Sequence, residues 1–564
     1  MGRIAEYHEQ FSPARLFERH WHCQARFSQG SVSCLTLAIA GLYGHEPMSD
    51  KSRPAPVTLV RGLGLLDATM IVVGSMIGSG IFITSAESSR LVGSPGWLLA
   101  AWAIAGVLTI TGSLCCAELA AMWPRAGGQY VFLREAYGPS IGFLFGWSLF
   151  LVIQSGTIAA VAVAFANFSG VLTNVISGER FLVAPFVVLK PFNIGSLAFN
   201  GYALSLSTQQ LLAVVMILAL TLTNTRGLKT GKLIQNTFTF TKTAALIGLI
   251  VIGLLFGWNH SSAAYTSSWW QPWANGWKPG SPQVGFEAAS QGALVLALVM
   301  LVGRAMVGPL FAQSAWNNVT FTGGEVREPG RNLPGALLLG CGLVVTLYLL
   351  ANLAYVVTLP LSGIQNAPQN RVATATMQAI FGLRGTVLMA VAIMISTFGC
   401  NNGLILAGAR VYFAMARDNL FFKRVATLNR RHVPAIALLT QGLWAAFLTL
   451  PRTLAMDSRT GAITYGNVYT QLLEYIVSAD MIFYTLMVAA VIVMRSKAPA
   501  VDRPYRTYGY PVVPLLYIVI AALLVLDLAY LAPSTSGFGY LLVLTGIPIY
   551  FIWHRRSSSA PNIA

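Results

Sequence analysis

Apolar residues in this chain run in long blocks separated by short polar segments, without the alternation of a half-buried strand or the one-sided stripe of a surface helix. Twelve blocks approach the roughly 20 residues a helix needs to cross the apolar part of a bilayer. They cover about residues 66–88, 97–122, 140–172, 208–224, 234–257, 300–323, 334–359, 384–416, 434–450, 469–494, 512–532 and 537–554. The pattern predicts an all-α membrane protein with 12 transmembrane helices.

Two blocks are interrupted. The first places Gly74, Ser75, Gly78, Ser79 and Gly80 where a continuous helix favours Leu or Ala, and each glycine weakens a helix by about 1 kcal/mol relative to Ala. In lipid an opened backbone must find partners for its freed groups. A break at Gly78-Ser79-Gly80 would turn the carbonyls of Val73 to Ile77 and the amides of Ser79 to Phe82 towards one pocket, the first attracting an ammonium and the second a carboxylate. Close helix packing is the other use of small residues in a membrane, and both readings stand at this point. The sixth block repeats the theme with Gly308-Pro309 and a polar centre from Gln313 to Asn318, which predicts unwinding there. The two breaks stand five blocks apart. An odd separation gives them opposite orientations, as an inverted repeat of five plus five helices requires. The domains expected are an N-terminal extension over 1–65, a first five-helix repeat over 66–257, an outside loop over 258–299, a second repeat over 300–494, and two further helices with a short tail over 495–564.

Composition supports the class: 55% of the 564 residues are hydrophobic and 10% are charged. A net charge of +17 raises the question of nucleic acid, but the basic residues are spread over alternate loops, twenty-one on one side against eight on the other. That bias predicts a multi-pass protein of the cytoplasmic membrane with both termini in the cytoplasm, and no nucleic-acid partner. Of the six cysteines, Cys115, Cys116, Cys341 and Cys400 lie in predicted spans and Cys23 and Cys34 in the N-terminal extension, so no disulfide framework is expected. Residues 1–47 read as an over-extended start or a disordered tail, with Met48 opening an ordinary polar leader to the first helix.

Polar residues inside the blocks are the candidates for chemistry. Glu118 near the end of the second block is a partner for a loop arginine or a functional acid, and Gln154-Ser-Gly-Thr157 forms a polar break in the third. Lys242 in the fifth block costs about 2.5–3.5 kcal/mol on insertion scales unless it snorkels or has a buried role. Arg304 and Asp527 have no role in this reading. The soluble segments carry no phosphate-cradling loop, metal-ligand cluster or nucleophile motif, so no enzyme, metal or cofactor is predicted.

Taken together, Gly78-Ser-Gly-Ile-Phe82, Ala117-Glu118 with Gly127-Gly128, Phe311-Ala with Trp316-Asn317, Ser396-Thr-Phe-Gly399 with Asn402-Gly403 and Arg410, and Arg503-Pro-Tyr-Arg506 with Gly509-Tyr-Pro511 resemble the amino acid-polyamine-organocation superfamily, and within it the L-type amino acid transporter branch, over about residues 60–555. The resemblance implies the LeuT-like fold with broken helices one and six and substrate at mid-membrane. It implies that the amides of Gly78, Ser79 and Gly80 bind the substrate carboxylate, and that the carbonyls of Met76, Ile77, Phe311 and Ser314 take the α-ammonium. Phe311 would be the outer gate and Asn317 the support of the unwound segment, while Lys242 would stand in for a sodium ion near Ser396 and Thr397. Where related proteins often carry an aromatic and two glycines, this chain has Gln313-Ser314-Ala315, which narrows the pocket against large aromatic substrates. With no cysteine in a predicted outside loop, no heavy-chain subunit is expected. The implied function is secondary active transport of neutral α-amino acids by alternating access, coupled to protons or run as exchange; the alternatives are a cationic amino acid or polyamine exchanger and a non-transporting amino acid sensor.

Overall fold

The computed structural model describes residues 61–271 and 291–558, apart from 191, 195–196, 200, 457–462, 466–467 and 534. The expectations for residues 1–47 and for a start at Met48 lie outside the described residues. A helix stands at each of the twelve predicted places. In chain order these are α1 (Leu65–Met76) and α2 (Gly80–Val92) on either side of the first break, α3 (Pro95–Met122), a short α4 (Gln129–Tyr137), α5 (Pro139–Ser169), α6 (Thr208–Asn224) and α7 (Leu228–Phe256). Then follow α8 (Gln291–Ala305), α9 (Val307–Ala312) and α10 (Asn318–Phe321), which together make the sixth, and α11 (Pro329–Thr358), α12 (Val372–Arg417), α13 (Ala435–Phe447), α14 (Val468–Lys497), α15 (Val512–Leu531) and α16 (Ser536–Ser558). Among the described residues eight helical stretches are long and apolar enough to span a membrane, nine counting α1 and α2, which meet at 41°.

The outward faces agree with a lipid surround. On α15 the exposed side chains include Leu515, Leu516, Val519, Leu523 and Leu526, and on α11 Leu338, Leu339 and Leu343. Water does not favour so broad an apolar surface. The broken helix lies inside the bundle, with α1 against α7, α11 and α12, and α2 against α8 and α9.

Four expectations need correcting. The sixth helix is already formed at Gln291, so the loop assigned to 258–299 does not reach 299. It also runs on through Gly308-Pro309 and opens only at Gln313, because a proline in the first turn of a helix lacks an amide that would be unpaired anyway. The seventh starts at Pro329, leaving Pro334 within its early turns. Finally the chain is not wholly helical. The segment between α5 and α6 forms β1 (Phe181–Leu189), β2 (Phe192–Ile194), β3 (Leu197–Phe199) and β4 (Gly201–Ser207), and the one between α13 and α14 forms β5 (Pro451–Met456) and β6 (Ile463–Tyr465). Strands β1, β4, β5 and β6 pair antiparallel in that order, with Tyr202 opposite Thr453. These segments read as loops because each is too short and too isolated to bury a face until the other arrives.

The opposite end of the bundle is held by ions. Glu118 receives Arg495 at 2.8 and 2.9 Å and the amide of Thr507 at 2.7 Å, with Arg503 at 3.6 Å, which selects the structural reading of that acid. Between α3 and α4, Gly127 and Gly128 take positive φ (103° and 42°), a conformation glycine adopts without strain, and the chain turns tightly there. Nearby, Arg410 of α12 meets Glu325 at 3.0 Å, both side chains about 1% exposed, and its other nitrogen bonds the Leu406 carbonyl at 2.7 Å. The Glu325 carbonyl also accepts the amides of Gly62 and Leu63. Removing one partner of a buried pair strands the other charge, at about 3–5 kcal/mol. Glu325→Gln is therefore expected to lower the unfolding midpoint of the purified protein, and Glu325→Gln with Arg410→Met to recover part of the loss; an unchanged midpoint in the single variant would exclude a stabilising role for the pair.

Candidate binding site at the helix breaks

Past its last residue, Met76, α1 leaves four carbonyls without helical partners, and a different side chain meets each. Lys242 Nζ from α7 bonds the Gly74 carbonyl. Cys400 Sγ from α12 lies 3.2 Å from the Ser75 carbonyl, Tyr348 Oη from α11 donates to Met76 at 2.8 Å, and Ser396 Oγ from α12 donates to Ile77 at 3.3 Å. Lys242 is fully buried, so it does not snorkel. Thr397 turns away from the break, its hydroxyl donating to Ile393 of its own helix at 2.8 Å. The predicted neighbourhood of Lys242 is thus built with Ser396 and Cys400, and Thr397 is not turned towards the first helix.

Across the break the pattern reverses. Among the described residues nothing accepts from the amides of Ser79, Gly80 and Ile81, while the Phe82 amide, predicted to be free, bonds the Ser79 carbonyl at 3.1 Å. Three open amides at the start of a 13-residue helix make a site for an anion. A hydrogen bond of 2.8 Å joins Ser79 Oγ to Tyr469 Oη of α14, and the Tyr469 ring meets Phe311 edge-on with centroids 6.2 Å apart. Phe311 is 5% exposed and Ser79 fully buried, so this site is closed.

The sixth helix opens from Gln313 to Asn317, and Ala315 takes a left-handed backbone (φ 64°), unusual for a residue with a Cβ. The Phe311 carbonyl already accepts the Ser314 amide at 3.1 Å and the Ser314 hydroxyl at 2.7 Å. Both its lone pairs are used, and the Met76 carbonyl likewise accepts Tyr348 Oη and the Gly78 amide, each at 2.8 Å, which leaves the carbonyls of Ile77 and Ser314 as the better ammonium acceptors of the predicted set. Asn317 donates to Gln129 Oε1 at 2.6 Å and accepts from Tyr484 Oη at 3.2 Å, tying the open segment to α4 and α14. Gly80 explains how close the two breaks come. A Cβ there would stand 2.7 Å from Ala312 Cα and 2.6 Å from Ala312 Cβ.

Sequence reasoning missed Tyr348, Tyr355, Cys400 and Tyr469. A signal existed for two of them: Tyr348, Asn352 and Tyr355 stand at i, i+4 and i+7, a polar stripe on one face of α11. The structure turns that stripe to the broken helix, with Tyr355 Oη 3.2 Å from the Ile81 carbonyl and Asn352 Oδ1 2.6 Å from Ser85 Oγ.

Residues 63–552 match the model of the family described as "Amino acid permease". The chain belongs to the amino acid permease family. Among curated relatives, this permease is 29% identical to the large neutral amino acids transporter small subunit 2 of Mus musculus over 533 residues, covering 91% of this chain and 86% of that one. It is 28% identical to the human Asc-type amino acid transporter 1, covering 88% and 83%, and 27% identical to the human b(0,+)-type amino acid transporter 1, covering 92% and 93%.

In the permease, Gly80→Ala forces a methyl group into backbone, and overpacking of this kind costs about 1–3 kcal/mol. Thermal unfolding of the purified protein should show a lowered midpoint for Gly80→Ala and little change for Gly342→Ala, where a Cβ meets nothing within 4 Å. Equal midpoints for the two variants would mean that the breaks do not pack as described.

Proposed function

We propose that this permease carries α-amino acids, neutral ones among them, across the cytoplasmic membrane by alternating access without ATP. Amino acid transport itself follows from the family and from relatives that are amino acid transporters. The observation that carries the mechanism is the polarity of the first break: backbone carbonyls on one side and the three open amides of Ser79, Gly80 and Ile81 on the other, a few ångströms of chain apart. A zwitterion presents the complementary pair, carboxylate to the amides and ammonium to the carbonyls of Ile77 and Ser314. The amide of Gly78 is the exception among the residues assigned to the carboxylate, because it bonds the Met76 carbonyl at 2.8 Å.

In this reading the twelve helical places are twelve spans. The first ten form two inverted repeats of five, and both termini lie in the cytoplasm, as the charge bias of the loops supports. Phe311, backed by Tyr469, is the outer gate, and the Arg410–Glu325 pair closes the inner end. Lys242 places an ammonium on the Gly74 carbonyl at the end of α1, where the helix dipole favours a cation and a sodium-coupled carrier would bind its ion. When α1 tilts to open the site inward, this contact must loosen, so the lysine couples the occupancy of the break to the position of the helix. The name of the murine relative includes "small subunit". The cysteines of the present chain lie in spans or in the N-terminal extension, which favours a carrier that works without a disulfide-linked partner chain.

Uptake of radiolabelled amino acids into proteoliposomes, with and without an inward proton gradient, tests the reading. Wild type is expected to accumulate a neutral amino acid, and Lys242→Ala to lose at least tenfold of the initial rate. Stimulation by the gradient that disappears in the variant assigns proton coupling through Lys242. Acceleration by internal amino acid, indifferent to the gradient, assigns exchange, and binding without uptake would overturn transport in favour of a sensor.

A further inference from the structure

At the end of the bundle held by ions lies a cavity of about 520 Å³, none of whose lining residues belongs to the helix breaks. Its walls are the turn between α3 and α4, α4 itself, Gly324 and the last turn of α12. Three arginines line it from three segments: Arg125 of the turn, Arg134 of α4 and Arg417 of α12. Asp418 is the acid among the lining residues, and its charge is already answered. Tyr130 Oη donates to Asp418 Oδ2 at 2.8 Å and Arg134 bonds the same oxygen, while the other terminal nitrogen of Arg134 meets Glu135 at 2.8 Å. Arg417 lies over the Phe413 ring, 5.8 Å from its centroid. Among the described residues neither its guanidinium nor that of Arg125 has an ion-pair partner. A single exposed arginine needs none, since water screens it. Two uncompensated guanidiniums on one concave space differ, because the walls exclude part of that water and focus a field of one sign.

An anion answers both charges, and the geometry selects its kind. A carboxylate has two oxygens in one plane and is matched by one bidentate arginine, whereas a tetrahedral phosphate offers acceptors to guanidiniums arriving from different segments. The volume is more than a bare ion fills and lies in the range of sites for small organic ligands. Pro124, Val131 and Phe413 give the rest of such a molecule apolar wall to lie on. We propose that this cavity binds the phosphate of an organic phosphate, either a phospholipid headgroup or a soluble ester, through Arg125 and Arg417, with Arg134 held beside them by Asp418. The bound group ties the α3–α4 turn to α12. That turn already touches both α12 and the sixth helix: a Cβ on Gly127 would stand 2.8 Å from Ala414 Cβ, and the Gly127 amide bonds the Phe321 carbonyl at 3.0 Å. A ligand that joins these segments stabilises the folded protein, which makes stability the direct readout. The site needs nothing at the helix breaks and stands or falls independently of the proposed function.

Glycerol 3-phosphate is the soluble probe and phosphatidylglycerol the lipid one. The unfolding midpoint of the purified full-length protein is followed in maltoside micelles, which carry no phosphate, as each probe is added, with sodium chloride of equal ionic strength as the control. Wild type is expected to show a saturable rise with at least one probe and none with the salt. Arg125→Gln and Arg417→Gln should each raise the half-effective concentration about tenfold, the worth of one charge-assisted bond. Arg417→Lys, which keeps the charge, should lose less, and Arg430→Gln, an exposed arginine outside the cavity, should change nothing. Arg125 and Arg417 are exposed as well, so their variants are expected to keep the wild-type midpoint when no probe is present. If glycerol 3-phosphate saturates the site, the source is a soluble ester; if only phosphatidylglycerol does, it is a lipid headgroup. No rise with either probe, a rise matched by the salt, or an equal response in wild type, Arg125→Gln and Arg417→Gln overturns the site and leaves these arginines as part of a generally basic surface.

Discussion

A helix opened inside a membrane must have every freed backbone group answered, and the rest of this bundle is arranged around that demand. Lys242, Cys400, Tyr348 and Ser396 come from three different helices and converge on four successive carbonyls, from Gly74 to Ile77. Each contact fixes the rotation of its helix about its own axis, because only one face of α7, α11 or α12 carries the donor. The same demand is left unmet at the amides of Ser79, Gly80 and Ile81. An end so fully satisfied beside one so consistently open is hard to explain by close packing alone, and it supports the proposal that the break receives a ligand.

The sequence made the broken helices and Lys242 legible for one reason: each is an exception within an apolar run. Glycines in a membrane block and a charge several residues inside one stand out without any knowledge of the fold. What stayed hidden depends on helix rotation. In a soluble helix the polar face marks the outside, but here lipid and interior are both apolar, so Cys400, Tyr469 and Asp480 look alike whether they face the site or the bilayer. Asp480 shows the limit most clearly. It lies in the tenth block, more than 160 residues from the unwound segment it faces. The tyrosine stripe of α11 was readable at its helical spacing, and it was passed over because tyrosine in an apolar block reads as ordinary packing. Pro309 misled in the other direction, since the proline that breaks a helix interior is tolerated in its opening turn. The strands between helices gave no signal at all, because β4 and β5 complete one another across more than 240 residues of intervening chain.

The two ends of the bundle are closed by different physics, and the difference suits a carrier. At the Phe311 end the contact is an aromatic edge and one neutral hydrogen bond between Ser79 and Tyr469, interactions that a side-chain rotation can make or break at small cost. At the other end Arg410 and Glu325 form a buried ion pair, and the carbonyl of Glu325 also pins the residues that lead into α1. A buried pair gains little net stability when formed, because desolvation offsets the attraction, yet each charge is well solvated if water enters. Such a pair is close to balanced between a dry, closed state and a wet, open one. Because the Glu325 carbonyl holds Gly62 and Leu63, which lead into α1, the proposed mechanism has a modest change at the break, such as the arrival of a zwitterion on the amides of α2, decide which state prevails. The wide ion network at Glu118, held by two arginines and a backbone amide, is not balanced in this way. It anchors α3 to α14 and the segment before α15 as a fixed frame, against which the proposed mechanism moves α1 and the open part of the sixth helix.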